Sequence, residues 1–432
     1  MLRFVRNSPS LRVVLMLFAL SLLALAATGA PIYSRLSYLW GLLLLGSGAW
    51  AAQSLRGVSV RRETRIRRAQ VGQIFQERFE VQNRSRLPRM WLEVDDRSTS
   101  PGSRGSCVLP LIWGGQRWPY RTRIPLLQRG VFTLGPTVIS SRDPFGLFPV
   151  SRTVPPSGSL LVYPMTVEVH AFPNPSGLLP GGEALRRRTH QVTPNAAGVR
   201  EYEPGDSLNR IHWTSTARRG RLMVKEFELD PLAEVWILLD AAREVQAALP
   251  QPPLVSSVDV LWRSLTQALT QVVLPPSTEE YGISIAASLG RYFLRRKRAV
   301  GLVSCGRSQS LDVLPPDRGG RQLGKILEAL ALLHAEGELS IAALATAQAQ
   351  HLPRGSTVIL ITPSVREEVA LTVDVLLRRG LRPVAVLLDA ASFGGPPGTT
   401  ALANTIEMLN VPVCRVVSGA DLGASLSATN GK

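Results

Sequence analysis

Residues 198–221 read GVREYEPGDSLNRIHWTSTARRGR, which sets Arg200, Tyr202, Gly205, Asp206, Arg210, Ile211, Trp213, Ala217 and Arg218 in close, ordered succession. Arg200, Arg210, Arg218, Arg219 and Arg221 put several cations beside one carboxylate, Asp206, and beside aromatic faces on which guanidinium planes stack. Such a cluster suits either of two tasks. One is a buried ion network that staples a β-rich domain to an α/β domain, with Gly205 in a tight turn and Trp213 in the core. The other is a surface that grips an anionic partner, with Arg200, Tyr202, Gly205, Asp206, Arg210, Trp213 and Arg218 as its binding residues.

On the C-terminal side, short continuous apolar runs at 235–239, 300–304, 357–361, 384–388 and 413–417 are those of strands covered on both faces. Residues 280–294, 323–334, 366–378 and 402–410 between them have helical spacing. A mainly parallel sheet with helices on both sides is expected over 223–432. The stretch 243–276, with a helix expected over 258–273, reads as an insertion.

On the N-terminal side, residues 57–165 change to short alternating runs. Met90, Leu92 and Val94 are expected on one face and Trp91, Glu93 and Asp95 on the other. Turn residues separate the runs, so a small antiparallel sandwich is expected. Asp143 and Pro144 start a turn that delivers Phe145, Leu147 and Phe148 as a hydrophobic plug. Residues 151–199, rich in Pro, Gly and Ser, read as an extended connector that leads into the 166–222 segment.

Residues 13–30 and 36–52 are apolar runs free of charge, each near the lower length for crossing roughly 30 Å of hydrocarbon. Pro31 ends the first, so the connection is a tight turn and residues 1–56 form a transmembrane helical hairpin. Arg3, Arg6 and Arg12 precede the first run, and Arg56, Arg61, Arg62, Arg65, Arg67 and Arg68 follow the second; only Arg35 lies in the turn. The positive-inside rule then puts both termini and the soluble domains in the cytoplasm, at an inner membrane. The rival reading, a cleaved signal peptide over 1–30, leaves residues 36–52 as a stop-transfer segment with the same orientation.

Forty-nine Lys and Arg against 32 Asp and Glu give a net charge of +17, which draws the protein to polyanions. The arginines beside the apolar runs make a lipid bilayer with anionic headgroups the cheaper explanation, and no specific nucleic-acid partner is expected. Cys107, Cys305 and Cys414 offer neither a disulfide framework nor a zinc site. Gly319, Gly324 and Lys325 match a phosphate loop up to the lysine, but Ile326 stands where a Ser or Thr would hold magnesium, and Pro315 and Pro316 interrupt the approach. The five histidines lack ligand spacing, and His212 is expected to play a hydrogen-bonded structural part. No cofactor and no catalytic residue is expected.

The 198–221 stretch resembles the signature of the DUF58 family, bacterial membrane-anchored proteins whose core is likened to a von Willebrand factor A domain. Arg129, Gly130, Leu134–Pro136 and Asp143–Phe148 agree with the same resemblance. It implies a von Willebrand A-like α/β domain, a role that is uncharacterised, and a MoxR-type AAA+ ATPase as partner. Metal-binding domains of that kind end their first strand in Asp-x-Ser-x-Ser. Here Asp240 is followed by Ala241, Ala242, Arg243 and Glu244, so both hydroxyls are missing and a cation is added. Asp240 is expected to accept backbone hydrogen bonds or to pair with a signature arginine. The alternative is a metal-dependent hydrolase or transferase centred on it.

Overall fold

The computed structural model describes residues 9–100, 105–173, 196–202, 211–227, 234–250, 274–306 and 311–427. They fall into two units, one of the chain up to Thr166 together with Pro250–Pro275 and Leu327–Leu333, the other of Val167–Leu249, Pro276–Ile326 and the chain from His334 onward.

The first unit opens with a helical hairpin, α1 (Pro9–Thr28) and α2 (Pro31–Ser54), broken by Gly29 and Ala30. A buried pair of hydroxyls, Ser21 and Ser37 at 3.0 Å, joins the two helices, and the ring of Phe18 packs over Gly41. One hydroxyl donates across the pair and the other to a backbone carbonyl of its own helix, Phe18 O or Tyr33 O, each 2.8 Å from its serine, which keeps the pair satisfied in apolar surroundings. Among the described residues α1 alone is long and apolar enough to cross a membrane. Tyr33, Ser34, Arg35, Ser37 and Tyr38 dilute the first half of α2.

Ten strands follow: β1 (Val58–Thr64), β2 (Arg68–Gln70), β3 (Ile74–Asn83), β4 (Arg89–Asp96), β5 (Cys107–Ile112), β6 (Arg117–Pro125), β7 (Gly130–Leu134), β8 (Thr137–Ser141), β9 (Val150–Val154) and β10 (Gly158–Tyr163). They form sheets in the orders β1-β3-β6, β2-β10-β7 and β5-β4-β8-β9. Val58 and Val81 from the first sheet share one apolar core with Leu92, Val94, Leu109, Ile112 and Ile139 from the third. β9 and β10 lie where a connector is expected from residue 151, so ordered strands run on to Tyr163.

Period two governs β3, which turns Phe75, Glu77, Phe79, Val81 and Asn83 inward. An inward carboxylate needs a partner, and Glu77 finds Arg62. That guanidinium reaches Glu77 at 2.6 and 2.8 Å and Asp96 at 3.0 and 3.2 Å, and it lies over the Phe79 ring. All three side chains are buried. Arg62, grouped in the sequence with the lipid-facing arginines, is therefore an interior residue. In β4 the alternation holds for Leu92 and Val94 but fails at Met90, which is exposed while Arg89 is buried. Trp91, which follows Met90 and precedes Leu92, has a φ of 54°, and at this reversal the alternation shifts so that Arg89 turns inward. Of the expected plug, Leu147 is buried and Phe145 exposed; Asp143 fixes the turn by accepting from the backbone N–H of Phe145 and Phe148.

The second unit centres on a six-stranded sheet of order β15-β14-β13-β16-β17-β18, made of β13 (Val235–Leu239), β14 (Val300–Cys305), β15 (Leu311–Asp317), β16 (Thr357–Thr362), β17 (Arg382–Leu388) and β18 (Val413–Val416). Five strands are parallel and β15 pairs antiparallel on the edge. The expected runs at 235–239, 300–304, 357–361, 384–388 and 413–417 all coincide with these strands. Helix Thr278–Arg295 covers one face, with Gly282 against Leu239, Ile361 and Leu388. Helices Ile341–Ala349, Glu368–Arg378 and Thr399–Met408 cover the other, where Leu344, Val373 and Ile406 pack with Leu238, Leu360 and Ala385. This α/β domain with a largely parallel sheet is consistent with a von Willebrand A-like fold. Val167–Phe172 also packs on helix Thr278–Arg295, where Phe172 meets the rings of Tyr292 and Phe293. Most of the expected insertion, including 258–273, lies outside the described residues.

Candidate functional site

Two places in the second unit gather chemistry-bearing residues. The first is the arm that carries the arginine-rich stretch. Strand β11 (Ala196–Glu201) pairs antiparallel with β12 (Met223–Phe227) as a two-stranded ribbon, with Arg200 opposite Val224. Tyr202, half-buried, extends the pairing by donating its N–H to Leu222 O at 2.9 Å.

Between these strands stands a short helix, α3 (Trp213–Arg219). His212 caps its N-terminus: Nδ1 accepts from the Ser215 N–H at 3.2 Å and lies 2.7 Å from the Ser215 hydroxyl. The His212 N–H donates to Met223 O, and the Thr216 hydroxyl accepts from the Met223 N–H, so the helix is tied to β12 at two points. Gly220, left-handed at φ 64°, ends it. His212 thus has the structural part that its sequence position suggests.

No residue of α3 is buried, and Trp213 is 67% exposed. Trp213 is therefore a surface side chain, and the expectation of a core tryptophan is corrected. One turn carries its indole; the next carries the exposed guanidinium groups of Arg218 and Arg219. Arg221 is exposed and pairs with Glu201 at 2.9 Å. Gly205, Asp206 and Arg210 lie outside the described residues. Of the seven sequence-derived binding residues the fold brings Arg200 and Tyr202 beside α3, which holds Trp213 and Arg218, through their shared contact with β12.

The second place is the carboxyl end of β13 and β16, where open α/β sheets present ligand sites. Asp240 is 5% exposed. Its Oδ1 accepts from the Ala242 N–H at 3.1 Å and its Oδ2 from the Thr362 hydroxyl at 2.6 Å. Thr362 in turn accepts from the Ser364 N–H at 2.9 Å. Burial pushes the Asp240 carboxyl up to about 6, while these hydrogen bonds and the charge of Arg366 pull the other way. Asp240, Ser340, Ser364, Arg366 and Glu368 line a pocket, at whose rim Arg366 pairs with Glu244 at 2.8 Å. The backbone-accepting part expected of Asp240 is present, and its side-chain partner is Thr362. Thr362 is legible only as a hydroxyl at the end of an otherwise apolar run. Among the described residues no three His, Cys, Asp or Glu side chains cluster as metal ligands. Asp240 and Thr362 supply one carboxylate and one hydroxyl, with a guanidinium beside them.

The phosphate-loop candidate is occupied by the chain itself. Asp317 Oδ1 accepts from the N–H groups of Arg318 and Gly319 at 2.7 and 3.0 Å, which holds its carboxyl below the usual range. A carboxylate thus stands where a phosphate would need those donors.

Comparison with known proteins places one family on this arm. A family model described as "Protein of unknown function DUF58" matches residues 198–247, which run from β11 through α3 and β13 to just past Asp240. The uncharacterized protein YeaD of Bacillus subtilis (strain 168) is 27% identical over 141 residues, which make up 33% of this chain and 27% of that protein. The match thus spans about a quarter of the length of that relative. Among solved structures, a beta-glucosidase from Listeria innocua in complex with gluconolactone overlays with a TM-score of 0.15 at 6% identity, over 24% of this chain and 16% of the other. A score that low bears on neither fold nor function.

Proposed function

We propose that this chain is a membrane-anchored interaction protein of the DUF58 type, in which a two-span hairpin holds a β-sandwich and a von Willebrand A-like domain on the cytoplasmic side. It works by gripping another protein and not by bond-making chemistry. The observation that supports this most is α3: a helix without a buried residue, capped at both ends, that carries Trp213 and two arginines outward. A solvent-facing helix gains nothing for stability from an indole and adjacent guanidinium groups, whereas acidic side chains are recognised by bidentate arginine pairs and aromatic anchors. Arg200, Tyr202, Gly205, Asp206 and Arg210 are the further binding residues in this reading, the last three by sequence alone. The partner is a MoxR-type AAA+ ATPase, a class taken from the family resemblance alone. Anionic headgroups hold the arginines that flank the hairpin.

Recovery of that ATPase with the tagged full-length chain from detergent extract tests the reading. Trp213→Ala with Arg218→Ala is expected to abolish recovery while circular dichroism stays unchanged, and Arg210→Ala with Asp206→Ala to do the same. Undiminished recovery with both pairs counts against it.

A second reading rests on Asp240, whose buried carboxyl faces a pocket at the strand ends. It makes the protein a metal-dependent hydrolase or transferase. Thermal-shift titration with magnesium or manganese decides it: a saturable shift lost in Asp240→Asn supports it, and a flat response removes it.

A further inference from the structure

Asn83 ends β3 with its side chain fully buried, and it ties together two loops at one end of the first unit. Its amide nitrogen donates to the carbonyls of Leu87, Ile112 and Trp113 at 2.9, 3.2 and 3.2 Å. Its Oδ1 accepts from the N–H and hydroxyl of Ser85. Its own backbone exchanges hydrogen bonds with Gly115 and Gln116. The 84–88 loop and the 113–116 turn are so close that a Cβ on Gly114 would lie 2.5 Å from Arg86 O. These tips are built, not loose.

The same end receives helix α2. Leu55, one residue past the helix, belongs to the apolar core with Val58, Val81 and Ile112. The Arg84 N–H donates to Gly57 O at 2.8 Å, and the buried Arg89 guanidinium donates to Arg56 O at 3.0 Å. The helix therefore enters the sheets beside the two loops, with only the 55–57 turn between.

What these pinned loops show outward is not what loops ordinarily show. Leu87 is 58% exposed and Trp113 61%, with Trp118 exposed at the start of β6. Arg56, Arg84 and Arg86 are exposed around them. Indoles and leucine among arginines, at the foot of the second hairpin helix, match the chemistry of the headgroup layer. There amphipathic rings sit between oil and water, and guanidinium groups meet lipid phosphate. Helix α2 has 24 residues, or about 36 Å, so a span of roughly 30 Å of hydrocarbon brings its last turn to that layer. Trp50, also exposed, lies one turn before the helix end.

We infer that this end of the β-rich unit is a membrane-seating face: Leu87, Trp113 and Trp118 enter the headgroup region of an anionic bilayer, while Arg56, Arg84 and Arg86 bind its phosphates. The inference rests on the membrane-anchored reading of the hairpin. Continuity with α2 and the sign of the charge favour lipid over a protein as the occupant.

Full-length protein reconstituted in mixed phosphatidylcholine and phosphatidylglycerol vesicles tests it, with an environment-sensitive fluorophore on one added surface cysteine in a Cys107→Ser background, where the two remaining native thiols, Cys305 and Cys414, are buried and an otherwise unlabelled Cys107→Ser sample sets the blank. Labels at Trp113→Cys and, as a second probe, Leu87→Cys are compared with one at Leu42→Cys in α2 and one at Ile74→Cys. Ile74 begins β3 and lies about 30 Å along it from Asn83. Lipid spin-labelled near the headgroup is expected to suppress emission at 113 and 87, and lipid spin-labelled deep in the acyl chain to suppress it at 42, with 74 quenched by neither. Quenching at 42, with 113 and 87 as bright as 74, overturns the seating face, leaves the anchor standing and frees the face for a protein. Absence of quenching at 42 as well means that the anchor fails, and the inference falls with it.

Discussion

The hydroxyl of Thr362 donates to Asp240 across 2.6 Å and so ties the carboxyl end of β16 to that of β13. Both residues are buried, and the Asp240 N–H donates to Ile361 O, so the two strand ends are joined by backbone and side chain together.

Burial of Asp240 sets a pH dependence, which the Thr362 hydrogen bond opposes. The Asp240 carboxyl lies at about 6 against an ordinary value of 3.8. Between these values the folded chain holds a proton that the unfolded chain has lost, so this residue's contribution to stability falls as pH rises through about 4 to 6 and is level above. Charging it in the fold costs on the order of 3 kcal/mol. Asp240→Asn has no such charge. Its stability relative to the parent is expected to improve between pH 4 and pH 7, as read by urea unfolding at each pH; a constant difference would refute the assignment.

Glu77 and Asp96 share the Arg62 guanidinium in the interior of the first unit, and among the described residues no other cation is paired with both. Burial raises the Glu77 carboxyl despite that neighbour. Arg62→Leu leaves two buried carboxylates unmatched and is expected to cost about 3–5 kcal/mol in denaturant unfolding. Replacing all three by leucine is expected to recover most of that loss, because no buried charge then remains.

Gly337 sits where a Cβ would lie 2.1 Å from Cys305 O, and its N–H donates to Ala241 O. Gly337→Ala must displace backbone beside the Asp240 pocket and is expected to destabilise by at least about 2–3 kcal/mol. Gly324→Ala, in a helix with open space around it, is expected to stabilise by up to about 1 kcal/mol. Thermal unfolding of the two variants side by side gives the sign of each.

On the arm, cap and surface separate. His212→Ala removes the acceptor of the Ser215 N–H and is expected to cost about 1 kcal/mol, whereas Trp213→Ala is expected to stay within about 0.5 kcal/mol of the parent. Equal losses in thermal unfolding would mean that Trp213 packs after all.

The sheet of the second unit was legible because its central strands are buried on both faces and read as unbroken apolar runs. Its edge was not. Leu311–Asp317 is mostly exposed and carries Pro315 and Pro316, which an edge strand tolerates but a strand template rejects. Helix Ile341–Ala349 escaped because IAALATAQA is apolar nearly all round and shows no helical stripe. The partners of Asp240 could not be read, since Thr362 and Arg366 are more than 120 residues away and only the topology of β13 beside β16 unites them. Arg62 was misread for a similar reason: its spacing matches the basic residues near the hairpin, and only the inward turn of Glu77 reveals why it is drawn inside. The arginine-rich stretch was found from its residue pattern, but that pattern does not say which side of α3 meets solvent.

The Val58 N–H bonds back to Leu55 O, three residues before it, so helix and sheet join without slack. A slack tether lets its cargo swing through a hemisphere, whereas a stiff post fixes both height and heading. Any tilt of α2 must therefore swivel the strands by the same angle, and a sideways load on the strands is felt as torque along the helix.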